Sequence, residues 1–299
     1  MRIEVAIPCY NEERTVATVV RDFRAQLPDA DIVVYDNNSE DGTAAAGEGA
    51  GARVSVVTRR GKGCVLQAAF ERSTADIVVV VDGDDTYEAA DVAALIEPIV
   101  RQQADMTIGT RLHTAESEFR QMHHFGNRAL TWMLNTMFGT RYTDILSGYR
   151  GFSRQFRHAV PLISTGFEIE TELMIQALSH GMVVREVPIR FRKRPAGSES
   201  KLSSFKDGYR ILLTMTVLLR DHRPLFTFSL AAAASFVLGS LFWATGAFLV
   251  PTAARALMWR GAGVVFMQFA AVLVLAGLIL NTINTRIREL SSLARRRKS

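Results

Sequence analysis

The chain of 299 residues carries 35 Lys and Arg against 30 Asp and Glu, a formal net charge of +5, with a pI near 9.5 and a mean hydropathy of +0.11. That length supports one large domain or two small ones, and two isolated cysteines, Cys9 and Cys64, argue against a disulfide framework or a C-x-x-C zinc site. The apolar excess is concentrated towards the C-terminal end and the cations sit beside apolar segments, so phosphate-bearing substrates and an anionic membrane surface are favoured and no nucleic-acid partner is expected.

Met1-Arg2-Ile3-Glu4 leads directly into a short strand without a signal peptide, so the N-terminal part is expected to stay in the cytoplasm. Residues 3–8 read as that strand, ended by Pro8, and Asn11 reads as the N-cap of a helix running to about Leu27. Residues 31–35 form a second strand, followed by a loop dense in turn formers, Asp36-Asn37-Asn38-Ser39-Glu40-Asp41-Gly42-Thr43, and a weak helix. A third strand at Val54–Val57 precedes the basic loop Arg59-Arg60-Gly61-Lys62-Gly63, which opens a helix over Cys64–Arg72. Cations and backbone N–H groups at a helix start can cradle phosphate; a solvated loop is the alternative.

The fourth strand, Ile77–Val81, runs into Asp82-Gly83-Asp84-Asp85-Thr86-Tyr87. An uninterrupted apolar run reads as a strand buried on both faces of a parallel sheet, and ligands bind beyond such strand ends. Crowded aspartates repel one another unless a cation or polar partner lies between them. Hard oxygen ligands suit Mg²⁺ or Mn²⁺ bridging carboxylates to phosphate oxygens; a solvated acidic turn is the alternative. The alternation of strands and helices predicts an α/β fold with a mostly parallel sheet.

A helix over Asp91–Gln103 and a strand at residues 105–109, ending at Thr110-Arg111, come next. Residues 119–138 combine helical apolar spacing with Arg120, His123, His124, Asn127 and Arg128, the pattern of either an interfacial helix or a core-packed helix with a basic outer face. Tyr142–Arg150 is turn-rich. Residues 167–180 form an acid-bearing helix in which Glu168 and Glu172 share a face and Glu170 points away. The last strand spans Val183–Arg192, with Pro188 indicating an edge position, and a basic loop follows through Lys201.

From Leu202 the pattern becomes an amphipathic juxtamembrane helix over 202–223. Two uncharged runs at about 225–250 and 261–280, joined by a short connection over Pro251–Arg260, predict a transmembrane hairpin within 224–285. Positive-inside bias places the basic 286–299 tail, and the flank at Arg220 and Arg223, in the cytoplasm. The hairpin would hold the 1–201 catalytic domain at the bilayer.

Five motifs stand in order: Ile7–Glu13, Asp36–Thr43, Gly61-Lys62-Gly63, Asp82–Asp85, and a later set made of Asp144 with Ser147–Arg150, Phe167–Glu170, Glu186–Ile189 and Gly197–Leu202. Over about residues 1–220 the chain resembles the family 2 glycosyltransferases of GT-A (Rossmann-like) fold, and within them the polyprenyl-phosphate glycosyltransferases. These include the dolichyl-phosphate mannose synthases and the bacterial undecaprenyl-phosphate glucosyltransferases.

The resemblance implies a nucleotide-sugar site of Pro8, Tyr10, Asn11, Glu12, Asp36, Asn38, Arg60, Lys62, Asp82 and Gly83, with Arg192, Arg194 and Lys201 clamping the diphosphate. It implies a Mg²⁺ or Mn²⁺ cofactor on Asp82 and Asp84. Where mannose-type members have Leu-Gln, this chain has Asp85-Thr86, which makes Thr86 the candidate third ligand. Arg111, Arg120, His124 and Arg128 would bind the acceptor phosphate. Asp84, Asp144 and Arg192 would serve the transfer itself, with Asp144 orienting the acceptor or its arginines.

The partners implied are a nucleotide sugar, with UDP favoured by analogy, polyprenyl (undecaprenyl) phosphate and the lipid bilayer of a bacterial inner membrane. A tetramer is implied by analogy alone. A processive glycosyltransferase would need a Gln-x-x-Arg-Trp motif, which is absent. A non-catalytic nucleotide-sugar-binding scaffold is the reading from another class, and the acidic element argues against it.

Overall fold

The computed structural model describes residues 1–111, 121–192, 213, 216–217, 219–221 and 223–296, with 121–126 and 287–296 described by their backbone. It divides into two compact units, Met1–Met215 and Thr216–Ser299.

In the first unit, β1 (Ile3–Cys9), α1 (Val16–Gln26), β2 (Asp31–Asp36), α2 (Thr43–Gly49), β3 (Arg53–Val56), α3 (Lys62–Arg72) and β4 (Ile77–Val80) alternate as predicted. There follow α4 (Val92–Val100), β5 (Met106–Arg111), α5 (Gln121–Phe138), β6 (Arg150–Ser153), α6 (Arg154–Ala159), α7 (Ile169–Ser179) and β7 (Val184–Ile189). The seven strands make one sheet in the order β3-β2-β1-β4-β6-β5-β7. Every pairing is parallel except those of β6, which runs antiparallel between β4 and β5.

The strand order reverses between β1 and β4, so a crevice opens at the carboxyl ends of these two strands. Its floor is apolar. Val5, Ile7, Val79 and Val81 pack with Val16, Val19, Val20 and Phe23 of α1 in one cluster. Phe23 meets Tyr149 edge to face at 5.9 Å. Burying each such side chain stabilises the fold by about 1.5–3 kcal/mol. Pro188 lies on β7, at the sheet edge, where its missing N–H leaves no ladder bond unmade.

Four expectations are corrected. The first helix begins at Val16 with Thr15 as N-cap residue, because Asn11 adopts a left-handed conformation at φ 54° that Asn tolerates and a helix start does not use. The helix expected over Asp91–Gln103 is a short 3₁₀ turn, Ala89–Asp91, leading into α4 at Val92–Val100. The last strand is shorter than expected, at Val184–Ile189. Within the segment read only as turns, Arg150 begins β6.

The second unit contains two long helices, α8 (Pro224–Phe248) and α9 (Ala253–Arg296). Pro224–Phe248 and Ala253–Arg286 are each long and apolar enough to cross a bilayer. The connection is shorter than predicted, because the second helix starts at Ala253 rather than after Arg260. Glycines bring the helices together: a Cβ on Gly239 would lie 2.7 Å from the Gly263 carbonyl oxygen, and the reverse substitution is equally close. Ser235 Oγ donates to the Phe266 carbonyl at 2.8 Å, and Phe242 stacks on Trp259 at 5.1 Å. Leu230, Leu241, Val265 and Leu275 face outwards, which water does not favour. Most of the amphipathic segment predicted over 202–223 lies outside the described residues.

Candidate active site

The turn after β4 places the aspartates. Val81 N–H still donates to the Ala6 carbonyl at 3.1 Å, so Asp82 is the first residue past the sheet ladder. Gly83 passes close to β1: its carbonyl accepts from Thr15 Oγ1 at 2.7 Å, and a Cβ there would lie 2.5 Å from Cys9 Sγ. Asp84 is buried, and its Oδ1 accepts from the Thr86 amide at 3.2 Å and the Thr86 hydroxyl at 2.6 Å. Thr86, the candidate third ligand, thus lies in direct contact with the Asp84 carboxylate. Asp85 takes φ 57° to complete the turn.

Four carboxylates surround the end of β1. Burial first, and then Glu12, Asp36, Asp82 and Asp84, push the Cys9 thiol far above its usual pKa. Among the described residues no three His, Cys, Asp or Glu side chains converge as a self-sufficient metal cage. Two hard carboxylates nevertheless fit Mg²⁺ or Mn²⁺, which normally complete their shells with substrate phosphates and water.

The loops after β1 and β2 are knitted together. Asn11 N–H donates to Ser39 Oγ at 3.0 Å, the Glu40 amide donates to Asn11 Oδ1 at 2.9 Å, and the Glu12 amide donates to Thr43 Oγ1 at 2.8 Å. Asp36 is buried and accepts from the Ser39 amide at 3.3 Å. Pro8 ends up in register with Tyr35 on β2. Arg60 pairs with Glu40 at 2.5 Å, and its guanidinium lies 5.2 Å above the Tyr10 ring. Asn38 takes a left-handed φ of 62°, whereas its neighbour Asn37 is the hub. Asn37 Nδ2 donates to the Val57 and Arg59 carbonyls, and its Oδ1 accepts from the Gly61 amide at 2.7 Å.

The backbone phosphate cradle expected at the start of α3 is overturned. The Gly63 and Cys64 amides both donate to the Thr165 carbonyl, at 2.9 and 3.4 Å, so a loop of this chain already caps the helix. Gly61 and Gly63 permit that approach, since a Cβ on either would lie 2.1 Å from a carbonyl oxygen of the Ser164-Thr165 loop. Glu172, fully buried in α7, holds the loop through the Ile163 and Ser164 amides at 2.8 and 2.7 Å.

Lys62 points inwards. Its ammonium lies 2.6 Å from Asp82 Oδ1 and 2.6 Å from Glu170 Oε1, with only 9% of the side chain exposed. Burial opposes that charge, but Asp82 and then Glu170 overcome it and hold Lys62 above its usual pKa. Glu170 points away from Glu172, as helical spacing predicts, and this direction carries it to Lys62.

A second cluster gathers at the ends of β5 and β7. Arg111 binds Asp144 through both ends of its fork, Nε to Oδ2 at 2.7 Å and Nη2 to Oδ1 at 2.8 Å. Asn127 of α5 adds a bond to Asp144 Oδ1 at 2.9 Å. Glu186 of β7 accepts from the Thr143 amide at 2.6 Å and the Asp144 amide at 3.1 Å, which anchors the loop. Beneath it, fully buried Arg150 donates to the Ser147 carbonyl at 2.8 Å and the Ile145 carbonyl at 2.6 Å. Tyr87 Oη accepts from the Gly148 amide at 2.9 Å, and burial pushes its phenol up to about 12.

Arg192 also reaches the loop after β4. Its amide donates to the Thr86 carbonyl at 2.8 Å, its guanidinium pairs with Glu88, and Asp85 lies 3.6 Å away. The fold therefore brings Asp82, Asp84, Thr86, Lys62 and Arg192 to one edge of the sheet, and Arg111 with Asp144 to the same edge. Arg128 lies exposed on α5. Arg120, Arg194 and Lys201 lie outside the described residues, as does the His124 side chain. Sequence reasoning missed the contacts of Asn127, Glu186 and Glu170; the Glu170 and Glu186 motifs were visible, whereas nothing distinguished Asn127 from other helix asparagines.

Comparison with known proteins agrees with this geometry. The description "Glycosyl transferase family 2" matches residues 4–159. Glycosyltransferase AglJ of Haloferax volcanii is 35% identical over 237 residues, covering 79% of this chain and 78% of that protein. Dolichyl-phosphate hexose transferase of the same organism is 27% identical over 210 residues, covering 70% and 90%. Among solved structures, glucosyl-3-phosphoglycerate synthase from Mycobacterium tuberculosis, in complex with Mn²⁺, UDP-glucose and glycerol 3-phosphate, superimposes with a TM-score of 0.61. It is 22% identical, covering 73% of this chain and 79% of that one, a likeness of fold. With the acidic turn after β4 and the family match over the sheet that carries it, the chain belongs to glycosyl transferase family 2 and is a glycosyltransferase.

Proposed function

We propose that the protein transfers a hexose from a nucleotide sugar, UDP-linked, to a polyprenyl monophosphate at the cytoplasmic face of a bacterial inner membrane, with inversion at the anomeric carbon. The observation that carries this reading is the pairing of two charge clusters at one sheet edge, the Asp82/Asp84 turn and the Arg111–Asp144 pair. The apolar hairpin supports a lipid acceptor, because anchoring confines the site to the plane of the lipid phosphate and raises its effective concentration. The dolichyl-phosphate hexose transferase among the relatives supports the same acceptor class.

An acceptor phosphate oxygen forms the new bond to the anomeric carbon as the bond to the nucleoside diphosphate breaks. A phosphomonoester is largely ionised at neutral pH, so the attacking oxygen carries no proton that must be removed. Asp144 accordingly acts on Arg111: it fixes the guanidinium plane, while Arg111, with Arg120, His124 and Arg128, meets the acceptor phosphate. Tyr10, Asn11, Glu12, Asp36, Asn38 and Arg60 hold the nucleotide, and Arg192, Arg194 and Lys201 stabilise the leaving diphosphate. Asp82 and Asp84, with Thr86 as the third ligand, would hold Mg²⁺ or Mn²⁺, which would supply Lewis-acid stabilisation when bound.

The test is a screen of UDP- and GDP-sugars against undecaprenyl phosphate, read as released nucleoside diphosphate. Turnover that requires the lipid phosphate supports the reading. Binding of a sugar nucleotide without turnover on any acceptor would favour the scaffold instead.

A further inference from the structure

The contact between Lys62 and Asp82 joins a buried ammonium to a residue of the proposed metal site. Lys62 is held by several groups at once, with 9% of its side chain left exposed. Asp82 and Glu170 each lie 2.6 Å from its nitrogen, and the Phe167 ring centroid lies 6.0 Å away. Gly148 lies against the pair: a Cβ there would lie 2.3 Å from Asp82 Oδ2 and 2.9 Å from Lys62 Nζ, so any side chain here would press on both groups. The three charged groups come from α3, the end of β4 and α7, which are far apart in the chain. Burying such groups is costly unless they are paired, and the guanidinium groups of Arg150 and Arg111 also act on Glu170 from the neighbouring cluster.

We propose that Lys62 is the resident counter-ion of Asp82, held in place by Glu170, and that it opposes divalent-ion binding until a diphosphate offers its ammonium other oxygens. The inference rests on the proposed Mg²⁺ or Mn²⁺ site. An ammonium touching Asp82 repels a divalent cation on the same carboxylate and occupies one of its oxygens. When diphosphate oxygens arrive, the Lys62 ammonium shifts part of its hydrogen bonding to them, and Asp82 is released. Glu170 keeps the ammonium within reach throughout, so it is a positioning residue. Metal and nucleotide then bind with positive coupling, and the empty enzyme does not accumulate a metal ion without its substrate.

The experiment is Mn²⁺ titration of the purified full-length protein, read by electron paramagnetic resonance of the free ion. It is run with Mn²⁺ alone and with UDP or GDP present. Lys62→Met should bind Mn²⁺ alone about tenfold or more tightly than wild type, because a contacting like charge has gone. Lys62→Arg, which keeps the charge, should stay within about threefold of wild type. If Lys62→Met does not fold by circular dichroism, the Lys62→Met/Glu170→Gln double variant, which removes one charge of each sign, should shift in the same direction. Unchanged or weaker Mn²⁺ binding in the folded Met variant overturns the inference alone. Absence of Asp84-dependent Mn²⁺ binding in wild type, even with nucleoside diphosphate, overturns the metal site beneath it.

Discussion

Replacing Asp144 by Asn isolates what that carboxylate does. Its side chain is 7% exposed and that of its partner Arg111 is 27% exposed, so water screens the pair poorly. Removing one member of a buried pair costs about 3–5 kcal/mol, since the survivor loses its counter-charge. The partial exposure of Arg111 places the expected loss near the lower end, about 3 kcal/mol. Burial works against the Asp144 charge, but the Arg111 hydrogen bonds and charge outweigh it and hold the carboxyl below the usual range.

A depressed folded pKa gives stability that is present above the unfolded value of about 3.9 and is lost as pH falls through the lower folded value. Urea unfolding should therefore separate wild type and Asp144→Asn at neutral pH and bring them together in strong acid. In the transfer assay the variant should raise the acceptor KM. Neither protein should show a limb from this carboxylate between about pH 5 and 8. Equal stability at neutral pH would refute the buried-pair argument. A wild-type rate limb that disappears in the variant, with acceptor KM unchanged, would make Asp144 a general base instead.

Gly148→Ala should disturb the Asp82–Lys62 contact directly, because its new Cβ falls 2.3 Å from Asp82 Oδ2; overpacking of this kind costs about 1–3 kcal/mol, and transfer should drop more than tenfold at matched folded fraction, read by product release. Glu172→Gln should weaken two charge-assisted bonds that seat the loop capping α3 and lower stability by about 3 kcal/mol, visible as a drop in Tm. Gly263→Leu should separate α8 from α9, since even a Cβ meets the Gly239 carbonyl at 2.7 Å; protease accessibility of the connecting turn in detergent should rise, and an unchanged digestion pattern would count against the close packing.

Much of this was legible from residue order. The β-branched run Ile77–Val80 is buried on both faces as its composition demands, and the carboxylates follow at its end. The sites that escaped reading are those where tertiary contacts reverse a local rule. Arg150 closes a segment that reads only as turn-rich, yet it lies fully buried at the start of β6, with two backbone carbonyls in place of solvent. Asn11 has the composition of a helix cap, but its left-handed backbone serves the loop after β1. The Gly61-Lys62-Gly63 amides suggested a phosphate cradle because sequence alone could not reveal that Thr165 would occupy it. Helical spacing turned Glu170 away from Glu172, and both are right: Glu172 seats a loop while Glu170 holds Lys62.

The most direct measurement supplies purified full-length protein with labelled nucleotide sugar, undecaprenyl phosphate and Mn²⁺, and follows label into the lipid phase. Wild type should form the lipid-linked sugar, chelation should stop it until Mn²⁺ is restored, and Asp84→Ala should form almost none. Undiminished transfer after chelation and in Asp84→Ala, or label passing only to water-soluble acceptors, would contradict a metal-assisted reaction on a lipid phosphate.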